Sequence, residues 1–281
     1  MAKRADGEGT MYKRKDGLWC AEYTDAIGKR RYVYGKTQRV VKEKLKGGIR
    51  EADAGINVDG ARLTVAKWFV EWLAVYAKPH IQPATYANYH RSVHMRIVPR
   101  FANVMLKDLR PDMLQRFIND MAEGGKLESV NGNTSGEYAP SGKPMGPRTL
   151  QHLKSVLSMA MCKAADLGYV ARNPVTSVKL PRVQKNEVQI LTIDDQRKLE
   201  TALMNHRNHL AFALLLDLYT GLRAGELIAL KWEDIDLDKA ELHVRRSRSH
   251  IQVPGQGGVT ITKGPKTASG MRTIPLTSLV C

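Results

Sequence analysis

Cysteine is scarce in this sequence, and its scarcity argues against two kinds of scaffold. The 281 residues include three cysteines, Cys20, Cys162 and Cys281, which lie far apart and show no Cys-x-x-Cys spacing. Such an odd and scattered set predicts neither a disulfide framework nor a structural zinc site. Long apolar runs are missing as well, because no stretch reaches the roughly 20 residues that a membrane helix requires. The chain starts Met-Ala-Lys-Arg rather than with an apolar segment, so we expect a cytoplasmic protein without a signal peptide or membrane contact.

Acidic residues are outnumbered by basic ones. The sequence has 28 Asp and Glu against 44 Lys and Arg, which gives a formal net charge of +16. The excess is largest in the middle, where residues 61–185 carry 18 basic and 8 acidic side chains. A charge of this size predicts a polyanionic partner, and nucleic acid is the leading candidate. A basic charge that serves only solubility or binding to RNA or ribosomes remains the alternative.

The first part of the chain favours a small β-sheet. Residues 19–24 and 31–34 are rich in aromatic and β-branched side chains and flank a turn that contains Gly28, a pattern typical of a hairpin. A helix over residues 37–54 would cover one face of it. Basic residues cluster around these strands: Lys13, Arg14, Lys15, Lys29, Arg30 and Arg31. A basic sheet of this size fits a DNA groove, although charged edges that only prevent aggregation would give the same pattern.

The pattern becomes helical after residue 63. Apolar residues recur at three- to four-residue spacing in four segments that begin near residues 64, 85, 111 and 147, and Thr64 is a candidate N-cap. We expect Pro99 to end the second helix and the Gly- and Ser-rich stretch 124–147 to form a loop. Residues 174–189 lack periodicity and begin at a proline, as is typical of an interdomain linker.

The last part of the chain has an α+β pattern. Thr192 is a candidate N-cap, and an apolar helix over residues 210–218 breaks at Gly221 and resumes over 224–230. Strand-like segments follow at 241–244, 247–253, 258–263 and 271–275. The sequence therefore predicts a separate unit in which helices precede strands.

Two motifs in this last part carry chemistry. The first is Thr-Gly-Leu-Arg-Ala-Gly-Glu-Leu over residues 220–227, followed by Leu-Lys-Trp-Glu-Asp-Ile over 230–235. The second is Lys266 within Gly-Pro-Lys-Thr-Ala-Ser-Gly-Met-Arg-Thr-Ile-Pro-Leu over 264–276. In residue types, order and separation, these motifs resemble the first arginine box and the catalytic lysine hairpin of the tyrosine recombinases, or phage integrases.

The resemblance covers nearly the whole chain and implies a multidomain fold. Residues 1–58 resemble an arm-type DNA-binding domain, a three-stranded sheet with a helix, and residues 62–173 resemble the all-α, four-helix, SAM-like core-binding domain. After a linker at 174–189, residues 190–281 resemble the N-terminal part of the α+β catalytic domain. The implied activity is site-specific recombination and integration of phage or mobile-element DNA in a bacterial host.

The chemistry of strand transfer explains why these residue types are wanted. A guanidinium such as Arg223 can meet two nonbridging oxygens of a phosphodiester as they gather charge, and an ammonium such as Lys266 can protonate the departing 5′ oxygen. The resemblance assigns these two catalytic roles. Without the motif, Arg223 could simply pair with Glu226 on one helix face; Glu226 is more suited to orient Arg223 than to act as a general base.

The resemblance also implies partners. Double-stranded attachment-site DNA would contact the six N-terminal basic residues and three on the helical domain, Arg91, Arg148 and Lys154. The intact family works as a homotetramer on DNA, with a host DNA-bending factor as a further partner. It needs no cofactor, metal or nucleotide, because the phosphotyrosine bond conserves the energy of the broken strand.

The sequence departs from the family after Lys266. A later His-x-x-Arg box and a C-terminal tyrosine nucleophile are absent from residues 267–281, and the last tyrosine is Tyr219. His243-x-x-Arg246 lies between the two matched motifs, so we interpret it as coincidental. We therefore expect a C-terminally truncated recombinase that binds DNA without cleaving it; a non-catalytic remnant that acts as a competitor or regulator is the alternative.

Two further motifs fail on their chemistry. Gly136 to Lys143 imitates a phosphate-binding loop, but the spacing is one residue too long and Pro144 follows the lysine where Ser or Thr is needed. His90 and His94 share a helix face without a third ligand, so we expect surface or DNA-facing side chains rather than a metal site.

Overall fold

The chain divides into two compact units, Met1–Val183 and Gln184–Cys281. The computed structural model describes residues 10–25, 28–53, 63–129, 138–182, 190–206, 208–253, 257–264 and 270–277. Among these residues, buried side chains form three hydrophobic cores, two in the first unit and one in the second. Within the described ranges, no helix is long and apolar enough to cross a membrane.

The first described residues form a three-stranded antiparallel sheet in the order β1-β2-β3. The strands are β1 (Thr10–Lys13), β2 (Trp19–Thr24) and β3 (Arg30–Gly35), and helix α1 (Gln38–Asp53) follows. Val41 and Leu45 of the helix pack on Ala21 and Tyr23 of the central strand. A Cβ at Gly48 would overlap the ring of Tyr23, so this glycine permits the close approach of helix and sheet. The predicted hairpin and helix are both present.

The second part of the first unit is helical. Helix α2 (Val65–Glu71) continues as a π-helix over Trp72–Ala77. Helix α3 (Pro83–Ser92) continues as a π-helix over Val93–Ile97 and then as α4 (Val98–Phe101). Helices α5 (Pro111–Gly124) and α6 (Pro147–Asp166) complete this part. Thr64 caps α2 by accepting a hydrogen bond from the Lys67 N–H. The indole of Trp68 donates to the Ala160 carbonyl at 3.0 Å and so ties α2 to α6. The apolar residues that recur at three- to four-residue spacing along α6 are all buried: Leu150, Leu153, Val156, Leu157, Ala160, Met161 and Ala164.

Two predictions for this region were wrong in detail. Pro99 does not end the helix, because it lies in the first turn of α4, directly after the π-turn, where a missing N–H is tolerated. The stretch 124–147 is not only a loop, since β4 (Leu127–Ser129) pairs with β5 (Tyr138–Pro140).

The beginning of the predicted linker packs on the helical core. Pro174–Ser177 forms a 3-10 turn that the Asn173 side chain caps, and Val175 and Val178 are buried in the core of the α-helices. The Lys154 ammonium donates to the Val178 carbonyl at 2.6 Å. Residues 174–178 are therefore held by the helical unit, whereas residues 183–189 lie outside the described residues.

The second unit contains helices followed by strands, as predicted. The helices are α7 (Ile193–Asn205), α8 (His209–Thr220) and α9 (Ala224–Leu227), and a 3-10 turn follows at Trp232–Asp234. Strands β6 (Ile235–Asp236), β7 (Glu241–Val244) and β10 (Arg272–Pro275) form a sheet in the order β10-β7-β6, while β8 (Ser247–Val253) pairs with β9 (Gly257–Lys263) as a long hairpin. Thr192 and Asp195 form a capping box at the start of α7. Leu216 and Leu222 pack against Leu242 and Val244 in the core.

Candidate functional site

The turn between α8 and α9 places Arg223 at the surface. Gly221 ends α8 with φ +60°, a left-handed conformation that glycine adopts without strain. Two residues later, Arg223 occupies the N-cap position of the short helix α9. Its side chain is 76% exposed. The glycine thus reverses the chain so that a guanidinium projects into solvent.

Glu226 holds Arg223 from below. Its carboxylate accepts hydrogen bonds from the Arg223 backbone N–H at 3.0 Å and from Nη1 at 2.9 Å. Arg272 of β10 donates to the same carboxylate through Nη1 at 3.3 Å and Nη2 at 2.8 Å. The Glu226 side chain is only 7% exposed, so one buried carboxylate joins the arginine box to a strand 46 residues further on.

This arrangement fixes the protonation state of Glu226. The hydrogen bonds from Arg272 are the main reason that the pKa of Glu226 falls to about 2; the backbone and side chain of Arg223 lower it further, and burial opposes them. In return, the Glu226 carboxylate raises the pKa of Arg272. A carboxylate with such a low pKa is a poor general base near pH 7, which agrees with the orienting role expected from the sequence.

Gly225, between the two charged residues, is needed for packing. A Cβ at this position would lie 2.6 Å from Ser247 Oγ and 2.9 Å from the Arg248 carbonyl oxygen. Real Cβ atoms essentially never come that close. The glycine therefore lets strand β8 lie against the arginine turn.

The second half of the first motif is structural. Asp234 is buried, accepts the Lys231 N–H at 3.0 Å and binds Arg246 Nη2 at 2.7 Å. Arg246 also binds Glu233 at 2.6 Å. His243 Nδ1 lies 3.0 Å from Thr273 Oγ1 on the neighbouring strand. The His243-x-x-Arg246 pattern is thus occupied by contacts within the unit, as its position between the two motifs suggested.

Lys266 lies outside the described residues, so its distance from Arg223 stays a prediction. The described strands that flank it are β9, which ends at Lys263, and β10, which begins at Arg272. Arg272, six residues after Lys266 in the sequence, binds Glu226 of the arginine box.

Tyr219 is held by a neighbouring helix. Its hydroxyl donates to Glu200 Oε1 at 2.8 Å. This hydrogen bond is the main reason that the pKa of Tyr219 is raised. A phenol that is engaged in this way and harder to ionise is a poor nucleophile.

The basic residues of the N-terminal sheet fall into two groups. Lys13, Arg14, Lys15, Lys29 and Arg30 are exposed. Arg31 is different, because its Nε binds the fully buried Asp25 carboxylate at 2.8 Å. Sequence reasoning counted Arg31 with the DNA-binding residues, and this ion pair gives it a structural role in the sheet as well.

Sequence reasoning missed the aromatic side chains of the same surface. Tyr12, Tyr32 and Tyr34 are each more than 40% exposed, and the Arg14 guanidinium lies 5.6 Å from the ring centre of Tyr34. Residues 12 and 34 both pair with Cys20, so these tyrosines share one face. The signal in the sequence is that Tyr32 and Tyr34 are two residues apart on β3, which places both side chains on one face of the strand.

On the helical part, Arg91 and Arg148 line one cavity together with Arg96 and His152. Arg96 was not singled out from the sequence. Lys154, the third predicted residue, uses its ammonium to hold Val178. The rings of His90 and His94 stack at 4.0 Å, and burial lowers the pKa of both; in the described parts of the chain, no group of three side chains could hold a metal ion.

Comparison with known proteins identifies the family. Residues 64–122 match the phage integrase N-terminal SAM-like domain. Residues 183–278, which include Arg223 and Lys266, match the phage integrase family. The chain belongs to the tyrosine recombinase (phage integrase) family. The first match covers α2 to most of α5 of this tyrosine recombinase, and the second covers the arginine box.

Relatives and solved structures agree with this placement. A "Tyrosine recombinase XerC-like" protein of Caldanaerobacter subterraneus subsp. tengcongensis is 30% identical over 263 residues, which cover 89% of this chain and 61% of the relative. The fold is similar to the Tn1549 transposon integrase in complex with a circular intermediate DNA (TM-score 0.59, 17% identity, covering 78% of this chain and 62% of that one). It is also similar to a lambda integrase tetramer bound to a Holliday junction (TM-score 0.50, 23% identity, covering 90% and 68%). This tyrosine recombinase thus spans about three fifths of the length of the curated relative.

Proposed function

We propose that this chain serves site-specific recombination, integrating phage or mobile-element DNA into attachment sites in the cytoplasm of a bacterial host. Residues 1–58 bind arm-type sites, while residues 62–173 and 190–281, joined by the linker 174–189, bind around the crossover site. The observation that carries the proposal is the exposed Arg223 guanidinium held by the buried Glu226 carboxylate. Because this guanidinium is exposed and already held in position, it is better suited to bind a phosphodiester than to serve only as one half of a buried structural ion pair.

The proposed chemistry divides the work among three residues. Arg223 binds the nonbridging oxygens of the scissile phosphate, where charge grows in the transition state. Lys266 protonates the 5′ oxygen as it leaves. Arg272 contacts neither the nonbridging oxygens nor the leaving 5′ oxygen. Its ion pair with Glu226 keeps that carboxylate charged and in place. The reaction requires no metal and no nucleotide cofactor.

We further propose that residues 1–281 bind DNA and do not cleave it by themselves. Cleavage in this family uses a tyrosine nucleophile, and the tyrosine nearest the arginine box is Tyr219, whose hydroxyl is bound to Glu200. This observation also favours a second function, in which the chain occupies attachment sites as a competitor or regulator. Sequencing the gene beyond codon 281 separates the two, because a continued frame with His-x-x-Arg and Tyr favours the recombinase.

The proposed partners are attachment-site DNA, further copies of the protein in a tetramer on DNA, and a host DNA-bending factor. The net charge of +16 supports a nucleic-acid partner. The lambda integrase tetramer on a Holliday junction, which has a similar fold, supports the assembly.

Selection from a pool of random duplexes tests this function. We expect purified protein to enrich one duplex sequence and to bind it at least about 10³-fold more tightly than unselected duplexes, as specific DNA-binding proteins do. Equal affinity for RNA hairpins and for every duplex would overturn the proposal. On the enriched duplex with a nick, a denaturant-stable adduct at Tyr219 would show that cleavage is retained.

A further inference from the structure

The segment that follows the 3-10 turn at Pro174–Ser177 is extended and has no partner strand. Val178 has φ −72° and ψ 131°, and among the residues that the structure describes no strand pairs with it. The backbone N–H and C=O groups of such a segment need other partners. Side chains of α5 and α6 supply them, so the segment stays on the helices although the sequence predicts an interdomain linker here.

Gln115 of α5 makes the central contact with this segment. Its side-chain oxygen accepts the Lys179 N–H at 2.8 Å, and its Nε2 donates to the Lys179 carbonyl at 2.9 Å. One primary amide thus satisfies both peptide groups of a single residue, as the opposite residue does in a hydrogen-bonded pair of an antiparallel sheet. Nε2 also donates to Asn119 Oδ1 at 3.0 Å, so the amide is held in place from its own helix.

Lys154 of α6 holds the preceding residue. Its ammonium donates to the Val178 carbonyl at 2.6 Å. The Val178 side chain is buried in the core of the helices, and Leu180 packs against that core. We call the bonds from Gln115 to Lys179 and from Lys154 to Val178 the linker strap, because they attach the start of the predicted linker to two helices.

The linker strap shortens the chain that remains between the two units. Thr192, which caps α7, lies 12 positions after Leu180 and 19 positions after Asn173, the last residue before the 3-10 turn. A fully extended chain spans at most about 3.5 Å per residue, so the reach to Thr192 is at most about 42 Å from Leu180 and would be about 66 Å from Asn173. The strap therefore removes about a third of the available reach.

We infer that Gln115 is a positioning residue, which fixes the point where the chain leaves the helical unit and so limits how far the second unit reaches on one bound DNA. The inference rests on the proposed function, in which both units bind around the same crossover site. When two binding units are linked, the effective concentration of the second is greatest if the linker length matches the span, and it falls as the linker becomes longer. The linker strap thus strengthens binding by both units without contacting DNA.

Amide hydrogen exchange of the full chain without DNA tests the strap itself. Gln115→Ala should speed exchange of the Lys179 amide by about tenfold, because that N–H loses its acceptor. The amides of α5 and α6 should exchange as in the wild type, which reports an intact fold. The matched control is Asn119→Ala, which removes an exposed amide from the same helix and leaves both bonds to Lys179 in place.

Deletion of residues 184–188 tests the consequence for DNA binding. The deletion removes one lysine and one glutamate, so the net charge stays at +16, and it cuts the reach from Leu180 to at most about 25 Å. We expect the deleted chain to bind the enriched duplex at least about tenfold more weakly, and addition of Gln115→Ala to restore at least about threefold because the released segment adds length. In the undeleted chain, Gln115→Ala should cost no more than about twofold and should leave the slope of log K against log salt concentration unchanged, because Gln115 carries no charge.

The direction of the effect separates positioning from a purely structural role. A residue that only stabilises the fold would weaken the deleted chain further; that result, or a deletion without effect, overturns the inference and leaves the proposed function standing. If no duplex is enriched, the proposed function falls, and the same comparison on a mixed-sequence duplex decides the inference: rescue supports it and no rescue overturns it. If Gln115→Ala fails to fold, Lys154→Met takes its place, because it frees the Val178 carbonyl. Rescue of the deleted chain by the loss of a positive charge cannot come from a DNA contact.

Discussion

Arg272 and Glu226 form a two-point ion pair in which Nη2 lies 2.8 Å from Oε2 and Nη1 lies 3.3 Å from Oε1. The pair joins β10 to the arginine turn, and Arg223 reaches the same carboxylate. Glu226 is therefore shared by the two sequence motifs that the family resemblance picked out. Protonation of the Glu226 carboxylate would weaken its hold on Arg223 and Arg272. The contribution of the ion pair can therefore be measured by changing the pH.

We expect the stability of the chain to depend on Glu226 in acid. Its pKa of about 2 in the folded state lies below the usual 4.5, so its ion pair contributes fully above pH 4.5. The contribution, at most about 3 kcal/mol, is lost as the pH falls from about 4.5 to about 2. Denaturant unfolding of the wild type and of Glu226→Gln should differ at pH 7, and the difference should narrow across this window. A difference that stays constant from pH 7 to pH 2 would contradict the ion pair.

Substitution of Gly225 by alanine should displace the β8–β9 hairpin. The new methyl group would collide with the Arg248 carbonyl oxygen, which belongs to the backbone and cannot swing aside. We expect a loss of about 1–3 kcal/mol in the free energy of unfolding and faster amide hydrogen exchange along β8. Gly264→Ala, whose Cβ would meet open space, is the matched control. Equal behaviour of the two variants would refute the close approach.

Two adjacent glycines of α1 should respond in opposite directions. A Cβ at Gly47 meets nothing within 4 Å, whereas one at Gly48 overlaps the Tyr23 ring. Gly47→Ala should therefore stabilise the chain by about 0.5–1 kcal/mol through helix propensity, and Gly48→Ala should destabilise it. Thermal unfolding measures both, and the same sign of change in the two variants would be inconsistent with the packing of α1 on the sheet.

Substitutions of Lys29 and Arg31 should distinguish residues that bind DNA from residues that stabilise the N-terminal sheet. Arg31→Gln breaks the ion pair with the buried Asp25, so we expect a loss of stability of a few kcal/mol. Lys29→Gln removes an exposed charge and should leave stability within about 0.5 kcal/mol, while it weakens duplex binding and lowers its salt dependence. Unchanged DNA affinity of Lys29→Gln would remove this residue from the proposed arm-site surface.

Much of the fold could be predicted from the sequence, because periodicity and caps are local signals. The hairpin with its helix, the apolar stripe of α6, the Thr64 and Thr192 caps and the four strand segments between residues 241 and 275 all follow from such signals. The prediction for Pro99 was wrong because the preceding π-turn changes which backbone N–H groups donate the helical hydrogen bonds. Such a turn depends on tertiary packing and leaves no pattern in the residues before it.

The candidate site was predictable only in part for a related reason. Arg223 lies in a motif whose residue types are specific, so the family resemblance found it. Arg272 lies within the second motif, but the sequence assigned it no role because its partner Glu226 is 46 residues away along the chain. Arg96 was missed because regular helical spacing separates it from Arg91. Arg31 and Lys154 were grouped with DNA-binding residues by charge, and only the structure shows the groups they hold.

We propose that the guanidinium of Arg223 and the ammonium of Lys266 act on the same backbone phosphate. The most direct measurement uses the enriched duplex with one phosphate at a time replaced by a neutral methylphosphonate, bound by wild type, Arg223→Gln and Lys266→Gln. We predict one position where neutralisation weakens wild-type binding by about tenfold and weakens the binding of each variant by clearly less, because each variant keeps only one of the two cations. If the two variants lose sensitivity at different phosphates, or at none, the assignment of the active site is contradicted.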